Sequence, residues 1–215
     1  MAITAEQQAK LDRLINLVTL RIDEYTEDID GEAPEAPIGD IPSELGVSAK
    51  AILHLLPRFS LFSLSKKADA VVLVQPTAEE RGTIVPLPDD YVRFISIRMA
   101  GWHYPVTSVI REDDDMIKKQ AYEYLKTTNN SPFATLVPYT NASKKALEVF
   151  PKSDTLQDLF YAPYYKVYDL PDQFDDAVVW HATSNVLLTM RLTALADKAL
   201  QKLDLAIKIL NSEVA

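Results

Sequence analysis

The chain contains no cysteine, which removes disulfides, thiolate nucleophiles and cysteine metal sites together. Histidine is scarce as well. Only His54, His103 and His181 are present, and no two of them have a metal-site spacing such as four residues apart on a helix. The five glycines form neither a phosphate-cradling loop nor a Gly-x-Ser-x-Gly nucleophile turn. No apolar run approaches the roughly 18 residues that span a bilayer, so no membrane partner is expected. The first residues, Met1 to Glu6, lack a basic start followed by an apolar stretch. No secretory signal is expected from them, and the expected place of synthesis and assembly is a cytoplasm.

Basic charge is also in deficit. Lys and Arg number 22 against 31 Asp and Glu, a net charge of -9, so the clustered cations that grip phosphates are missing. An acidic wall repels DNA and prevents it from sticking, which is compatible with DNA sliding past a surface. The simpler reading is that the charge keeps the protein soluble.

What remains is ordinary globular material. The 215 residues, 47% hydrophobic and 25% charged, are enough for one large domain or two small ones with a real core. Residues 4–28 read as a helix. Thr4 and Gln7 have the spacing of a capping box, and Leu11, Leu14, Ile15, Val18, Ile22 and Tyr25 form one apolar stripe. The stretch 29–42, with Gly31, Pro34, Pro37, Gly39 and Pro42 among acids, reads as a loop. A second helix is expected from Ser43 or Ser48 to Leu56, stopped by Pro57.

The middle of the chain changes character. Strands are expected at Ala70–Val74, Gly82–Pro86, Phe94–Met99 and Trp102–Ile110, with a helical turn at Leu87–Val92 and a tight turn at Ala100-Gly101. In Phe94–Met99, alternation sets Phe94, Ser96 and Arg98 against Ile95, Ile97 and Met99. A helix is expected over 112–127, acids leading and lysines following, and then strands at Phe133–Tyr139, Ala146–Phe150 and Leu159–Tyr165. A helix then opens at Leu170-Pro171-Asp172 and runs to about Arg191, with Phe174, Ala177, Val178, His181, Ser184, Leu187 and Leu188 near one face. Thr193–Asn211 repeats Leu195, Ala199, Leu203, Ala206 and Leu210 at helical spacing. One long bent helix and a hairpin both fit this end of the chain. The expected fold is α+β: a helical bundle from residues 1–60 and 168–215 with an inserted β-rich region, 61–167, built as an antiparallel sheet or small sandwich with one helix.

Candidate chemistry is thin. Glu112-Asp113-Asp114-Asp115 lacks the alternating ligands, glycine and distal glutamate of a calcium loop and reads as acids at a helix start. His181, beside Trp180, reads as a packed core histidine, and His103, between Trp102 and Tyr104, as a packing or interface residue. Tyr161, Tyr164, Tyr165 and Tyr168 would need interleaved cations to stack nucleic acid, and only Lys166 lies among them. No catalytic residue, metal site or cofactor site is expected. An unrecognised hydrolase using His181 or His103 with an acid is the weakest of the readings.

Three blocks carry a resemblance. Leu87-Pro88-Asp89-Asp90-Tyr91-Val92, the strand through Met99 and then Gly101-Trp102 resemble a block of the head-to-tail adaptors of podovirus-type tailed bacteriophages, also called connector or tail tubular proteins. Ala146 to Pro151 with Leu159 to Pro163 is similar to that family's later strand pair, and Leu170-Pro171-Asp172 with the helix through Asp176, Ala177, Trp180, Ala182 and Leu187 to its C-terminal helical region. The order of elements is matched over roughly residues 1–212. A neck ring protein of a crAss-like phage is left open by these residues. The resemblance implies a virion structural protein at the head–tail junction. It would be a homo-oligomeric ring, commonly of twelve copies, lying under the portal protein and against other neck or tail proteins. DNA would pass its channel without specific binding. A different neck protein or tail completion factor is the alternative. The first and last helices are the natural walls of such a subunit. Leu11, Val18, Leu203 and Leu210 on those helices, with Trp102 and Tyr104, are the expected subunit or portal contacts, and loss of Leu203–Ala215 is expected to abolish portal binding.

Overall fold

A computed structural model describes residues 3–27, 40–69, 71–78, 81–111, 113–139 and 144–212. Residues 29–39 of the expected 29–42 loop, and Ala70 and Glu112, lie outside the described residues. In chain order the elements are α1 (Ala5–Thr26), α2 (Ile41–Leu55), β1 (Lys66–Lys67), β2 (Thr83–Pro86), β3 (Tyr91–Met99), β4 (Val109–Ile110), α3 (Asp115–Lys119), β5 (Phe133–Tyr139), β6 (Lys144–Phe150), β7 (Leu156–Pro163), α4 (Asp175–Thr189) and α5 (Thr193–Ser212). Helices segregate to the two ends of the chain and mostly antiparallel strands to its middle, so the fold is α+β. The chain divides into two compact units, Met1–Ser60 with Tyr164–Ala215, and Leu61–Pro163.

The helical unit is organised around α4. Its side chains are buried on almost every side, including Val179, Ala182, Thr183 and Val186 opposite the face that periodicity assigns to the core. The reason is that α1, α2 and α5 all pack on it. Helix α1 begins with the expected capping box: the Thr4 hydroxyl accepts from the Gln7 backbone N–H (3.2 Å), and the Gln7 side chain accepts from the Thr4 N–H (3.0 Å). Its buried residues are Leu14, Val18 and Ile22. Helix α2 starts at Ile41, earlier than expected. Pro42 lies in its first turn, where a missing N–H costs no hydrogen bond.

The two C-terminal helices form a hairpin. The Leu192 N–H donates to the Leu187 carbonyl and the Arg191 N–H to the Leu188 carbonyl, both at 2.9 Å, the pair of bonds that closes a helix when the next residue turns left-handed. That residue is Arg191, with φ +62°. A side chain in this region costs about 1–2 kcal/mol, against which glycine carries its own entropy cost. Arg191→Gly is therefore expected to stabilise the protein by about 0.5–1 kcal/mol, read as a higher urea midpoint, while Arg191→Ala leaves the midpoint unchanged.

The β unit contains two sheets, ordered β1-β7-β3 and β2-β6-β5-β4. Phe94, Ile97 and Met99 of β3 and Leu159 of β7 share one apolar cluster with Val85 of β2, Ala134 of β5 and Leu147 and Val149 of β6. The unit is thus a small sandwich, with Trp102 and Val106 buried in the same cluster. Phe94 joins Ile97 and Met99 although strict alternation places it with Ser96 and Arg98. A register shift between Phe94 and Ser96 inserts an extra residue and turns Phe94 to the core face.

Several expected elements differ. In the 71–74 segment, Val71 and Leu73 pack on the cluster while Val72 stays exposed, a strand-like alternation, but only Val74 finds a backbone partner, Ile84. The segment after Gly101 does not return as a hairpin strand. Gly101 turns with φ +84°, Trp102 plugs the core, Pro105 offers no donor, and only Val106 bridges back to Ile97. The chain then crosses to the other sheet, where β4 pairs in parallel with β5. The 112–127 helix shrinks to α3. Buried Gln120 holds it shut, its side-chain amide donating to the Met116 carbonyl (2.9 Å) and accepting from the Thr127 N–H (3.1 Å). Asp89 and Asp90 form a tight turn that leads directly into β3, so Tyr91 and Val92 are strand residues. Strand β7 begins at Leu156 and ends at Pro163, and three residues of 3-10 turn, Asp172–Phe174, precede α4.

Candidate interaction surfaces

The contacts expected from sequence separate into two groups. Val18 (0% exposed), Leu203 (3%) and Leu210 (6%) lie in the core of the helical unit, and Trp102 (2%) in the core of the β unit. These four are corrected to core positions: their side chains are already covered by their own unit. Helical periodicity finds the apolar side of a helix, and in this bundle that side faces α4. Leu11 is half-buried, and Tyr104, at 67% exposure, is the one of the six that stands clear of the fold. Removing Leu203–Ala215 would take core residues with it, so that truncation does not isolate a docking surface.

The exposed apolar residues lie elsewhere. On α1, Leu20 is 58% exposed; on α5, Leu205 and Ile209 are 52% and 50% exposed. Leu205 and Ile209 are four apart and lie off the buried Ala196, Ala199, Leu203, Leu210 stripe. That offset was the available signal, and it is obscured in an Ala- and Leu-rich helix. In the β unit, Tyr122, Tyr124 and Leu125 project from the 3-10 turn after α3, with Tyr124 98% exposed. A helix with tyrosine on its wet face would show the same local pattern, which is why this projection is invisible in sequence.

The titratable groups are engaged in holding elements together. Lys10 and Arg13 of α1 meet Asp172 and Asp175 at the start of α4. Lys10 Nζ lies 2.8 Å from Asp172 and 3.1 Å from Asp175, and Arg13 lies 2.5 Å from Asp175. Hydrogen bonding and charge from Lys10 hold the Asp172 carboxyl below its ordinary range, whereas burial raises that of Asp175 against the pull of both cations. In the β unit, the covered Glu148 carboxylate accepts from Arg81 Nε and the Gly82 N–H, both at 2.7 Å. Arg81, Glu148, Thr135, Val137 and Phe150 line a hollow of about 570 Å³ between the outer face of the β2-β6-β5-β4 sheet and α3. Both donors to Glu148 come from its own neighbourhood, so the carboxylate serves as a latch on the chain entering β2.

His181 Nδ1 lies 2.9 Å from the Ser48 hydroxyl and 3.4 Å from Asn185, whose amide donates to Glu44 (3.1 Å). Ser48 is wholly buried inside α2, so no acyl group reaches its oxygen, and the pair joins α2 to α4. Burial lowers the His181 pKa from its ordinary value, with Glu44 opposing. The unfolded chain therefore takes up this proton first. The contribution to stability is full above about pH 6.5 and is lost as pH falls below it. Between pH 7.5 and 5.5, wild type is expected to lose more stability in urea than His181→Gln does; parallel losses would remove His181 as the cause. His103 is exposed and bonded to Asn130.

The acidic run acts at a helix start: Asp114 accepts from the Met116 N–H (2.9 Å) and Asp115 pairs with Lys118 (3.1 Å). The tyrosines do not form one platform. Tyr161 is buried and donates to Asp90 (2.8 Å), while Tyr164 is 47% exposed and Lys166 lies over Tyr168. Among the described residues, no three acidic or histidine side chains gather as a metal site, and no helix is long and apolar enough to cross a membrane. No protein-family model matches the chain, and no curated protein matches it by sequence.

Proposed function

We propose that the chain is a structural subunit of a tailed-phage virion: a ring-forming head-to-tail adaptor between portal and tail that continues the DNA channel. The reading rests on the resemblance of the three sequence blocks. The observation that best supports it is that each unit of an acidic protein bares large apolar side chains, Leu20, Leu205 and Ile209 in one and Tyr122, Tyr124 and Leu125 in the other. A subunit in a ring uses two complementary surfaces toward its neighbours, and one stacked between portal and tail needs more. The groups that catalysis would recruit are occupied structurally: Ser48 with His181, Glu148 with Arg81 and Gly82, Asp175 with Lys10 and Arg13.

Light scattering of the purified protein, alone and mixed with a candidate portal, tests this. A large ring, or a monomer that becomes a multi-copy complex on the portal, is the expected result. A protein that joins tail components but ignores the portal is a tail completion factor. A monomer inert toward both removes the virion reading.

A further inference from the structure

We propose that copies of the chain associate by packing α1 of one copy antiparallel against α5 of another, with Leu20 set against Leu205. This deepens the assembly reading by naming the surface, and it rests on three features of the two helices.

The first is exposure. Leu20 on α1 and Leu205 and Ile209 on α5 are each half or more exposed, on helices whose opposite sides are fully used against α4. The second is spacing. On α5, Lys198, Lys202, Leu205 and Ile209 follow one another at intervals of four, three and four, and all are exposed. This is the a/d spacing of a seam between two helices, with apolar residues at its last two positions and lysines at its first two. The buried residues of α5 lie on its other side, so the helix carries two seams and its own bundle uses one. The α5 acids, Asp197 and Asp204, fall about a quarter turn from the exposed seam at 100° per residue.

The third is charge, and it sets direction and register. Around Leu20, the exposed residues toward the C-terminus of α1 are Asp23, Glu24 and Glu27, at i+3, i+4 and i+7. On the Leu205 face, the exposed charged residues toward the N-terminus of α5 are Lys202 and Lys198, at i−3 and i−7, with uncharged Gln201 at i−4. Laid antiparallel with Leu20 on Leu205, Asp23 and Glu24 meet Lys202, and Glu27 meets Lys198. Both outer charges then sit about 10.5 Å along the axis from the leucine pair. A parallel arrangement sets Asp23 level with Lys208, Glu24 with Ile209 and Glu27 with Ser212, so one lysine meets the acids instead of two, and Lys198 and Lys202 are left without them. Exposed ion pairs add little affinity by themselves but choose partner and register, while the leucines supply the buried area. A second copy is the occupant that carries both halves of this match on one sequence.

The experiment uses charge exchange in the full chain. One variant carries Lys198→Glu with Lys202→Glu, and the other Asp23→Lys, Glu24→Lys and Glu27→Lys. Circular dichroism and urea unfolding first confirm that both fold. Each variant alone places like charges at the seam and is expected to lose the wild-type assembly. A one-to-one mixture restores opposite charges at every α1–α5 contact and is expected to regain it. Assembly by either variant alone, a mixture that stays monomeric, or a wild type that is itself monomeric overturns the α1–α5 pairing. The mass of the restored species tests the functional reading separately. A closed dimer keeps the pairing and sinks the ring, whereas a wild-type ring indifferent to both variants keeps the ring and sinks the pairing.

Discussion

Gly82→Ala is expected to destabilise the β unit by about 3–5 kcal/mol, the sum of an overpacking cost and a lost hydrogen bond to a charged group. A Cβ at this position would lie 2.3 Å from the Val149 carbonyl oxygen and 3.0 Å from Glu148 Cγ and Phe150 Cε2. The nearest obstacle is backbone of β6, which is hydrogen-bonded to β2 on one side and β5 on the other and cannot yield alone. Relief requires the chain at 82 to move outward, and that movement breaks the Gly82 N–H bond to the covered Glu148 carboxylate. For a protein of this size, such a loss lowers the melting temperature by roughly 10 °C. Gly46 provides the contrast. It lies within α2 with nothing near its missing Cβ, so Gly46→Ala is expected to stabilise by up to about 1 kcal/mol through helix propensity. Equal melting temperatures for wild type and Gly82→Ala would show that β6 is far more compliant than its pairing implies.

What the sequence made legible follows the range of the interactions involved. The capping box at Thr4 and Gln7 is local, and it forms as the spacing indicates. Strand β5 has the expected limits, because its β-branched and aromatic residues are bounded by Ser131-Pro132 on one side and polar residues on the other. The α+β arrangement follows from where these segments fall along the chain. Features set by tertiary partners were not legible. The bulge that turns Phe94 inward depends on the register with β7, and the collapse of the 112–127 helix depends on the Gln120 clamp. The exposed surfaces are hidden in the sequence for a related reason. Val18, Leu203 and Leu210 are the strongest members of their apolar stripes, and the strongest stripe faces the bundle's own central helix. The exposed apolar residues Leu20, Leu205 and Ile209 are isolated among charges and register only once the buried side is known.

Lys10→Met should cost about 2–3 kcal/mol, somewhat less than the ~3–5 kcal/mol typical of breaking a buried ion pair, because Arg13 stays beside Asp175. Lys10 and Asp175 side chains are only 13% and 12% exposed, so the remaining carboxylate is poorly reached by water. Lys10 also donates to the Leu170 carbonyl (2.5 Å), a bond that methionine cannot replace. The pH dependence separates charge from packing. Burial raises the folded pKa of Asp175, so its contribution to stability is greatest below the unfolded value of about 3.8 and declines as pH rises through the folded value. Removing Lys10 takes away an opposing cation and raises that folded value further. The gap in stability between wild type and Lys10→Met should therefore be widest near neutral pH and narrow toward pH 4. A packing defect alone would give a gap independent of pH. The double variant Lys10→Met with Asp175→Leu removes both charges and is expected to recover the part of the loss that comes from the unpaired carboxylate, since an apolar pair of similar volume avoids the desolvation that the ion pair must offset, while the Lys10 bond to the Leu170 carbonyl stays lost. Recovery there, measured by urea midpoints at both pH values, would identify this group as a pin fixing α1 to the start of α4, and with it the placement of Leu20 that the proposed α1–α5 contact requires.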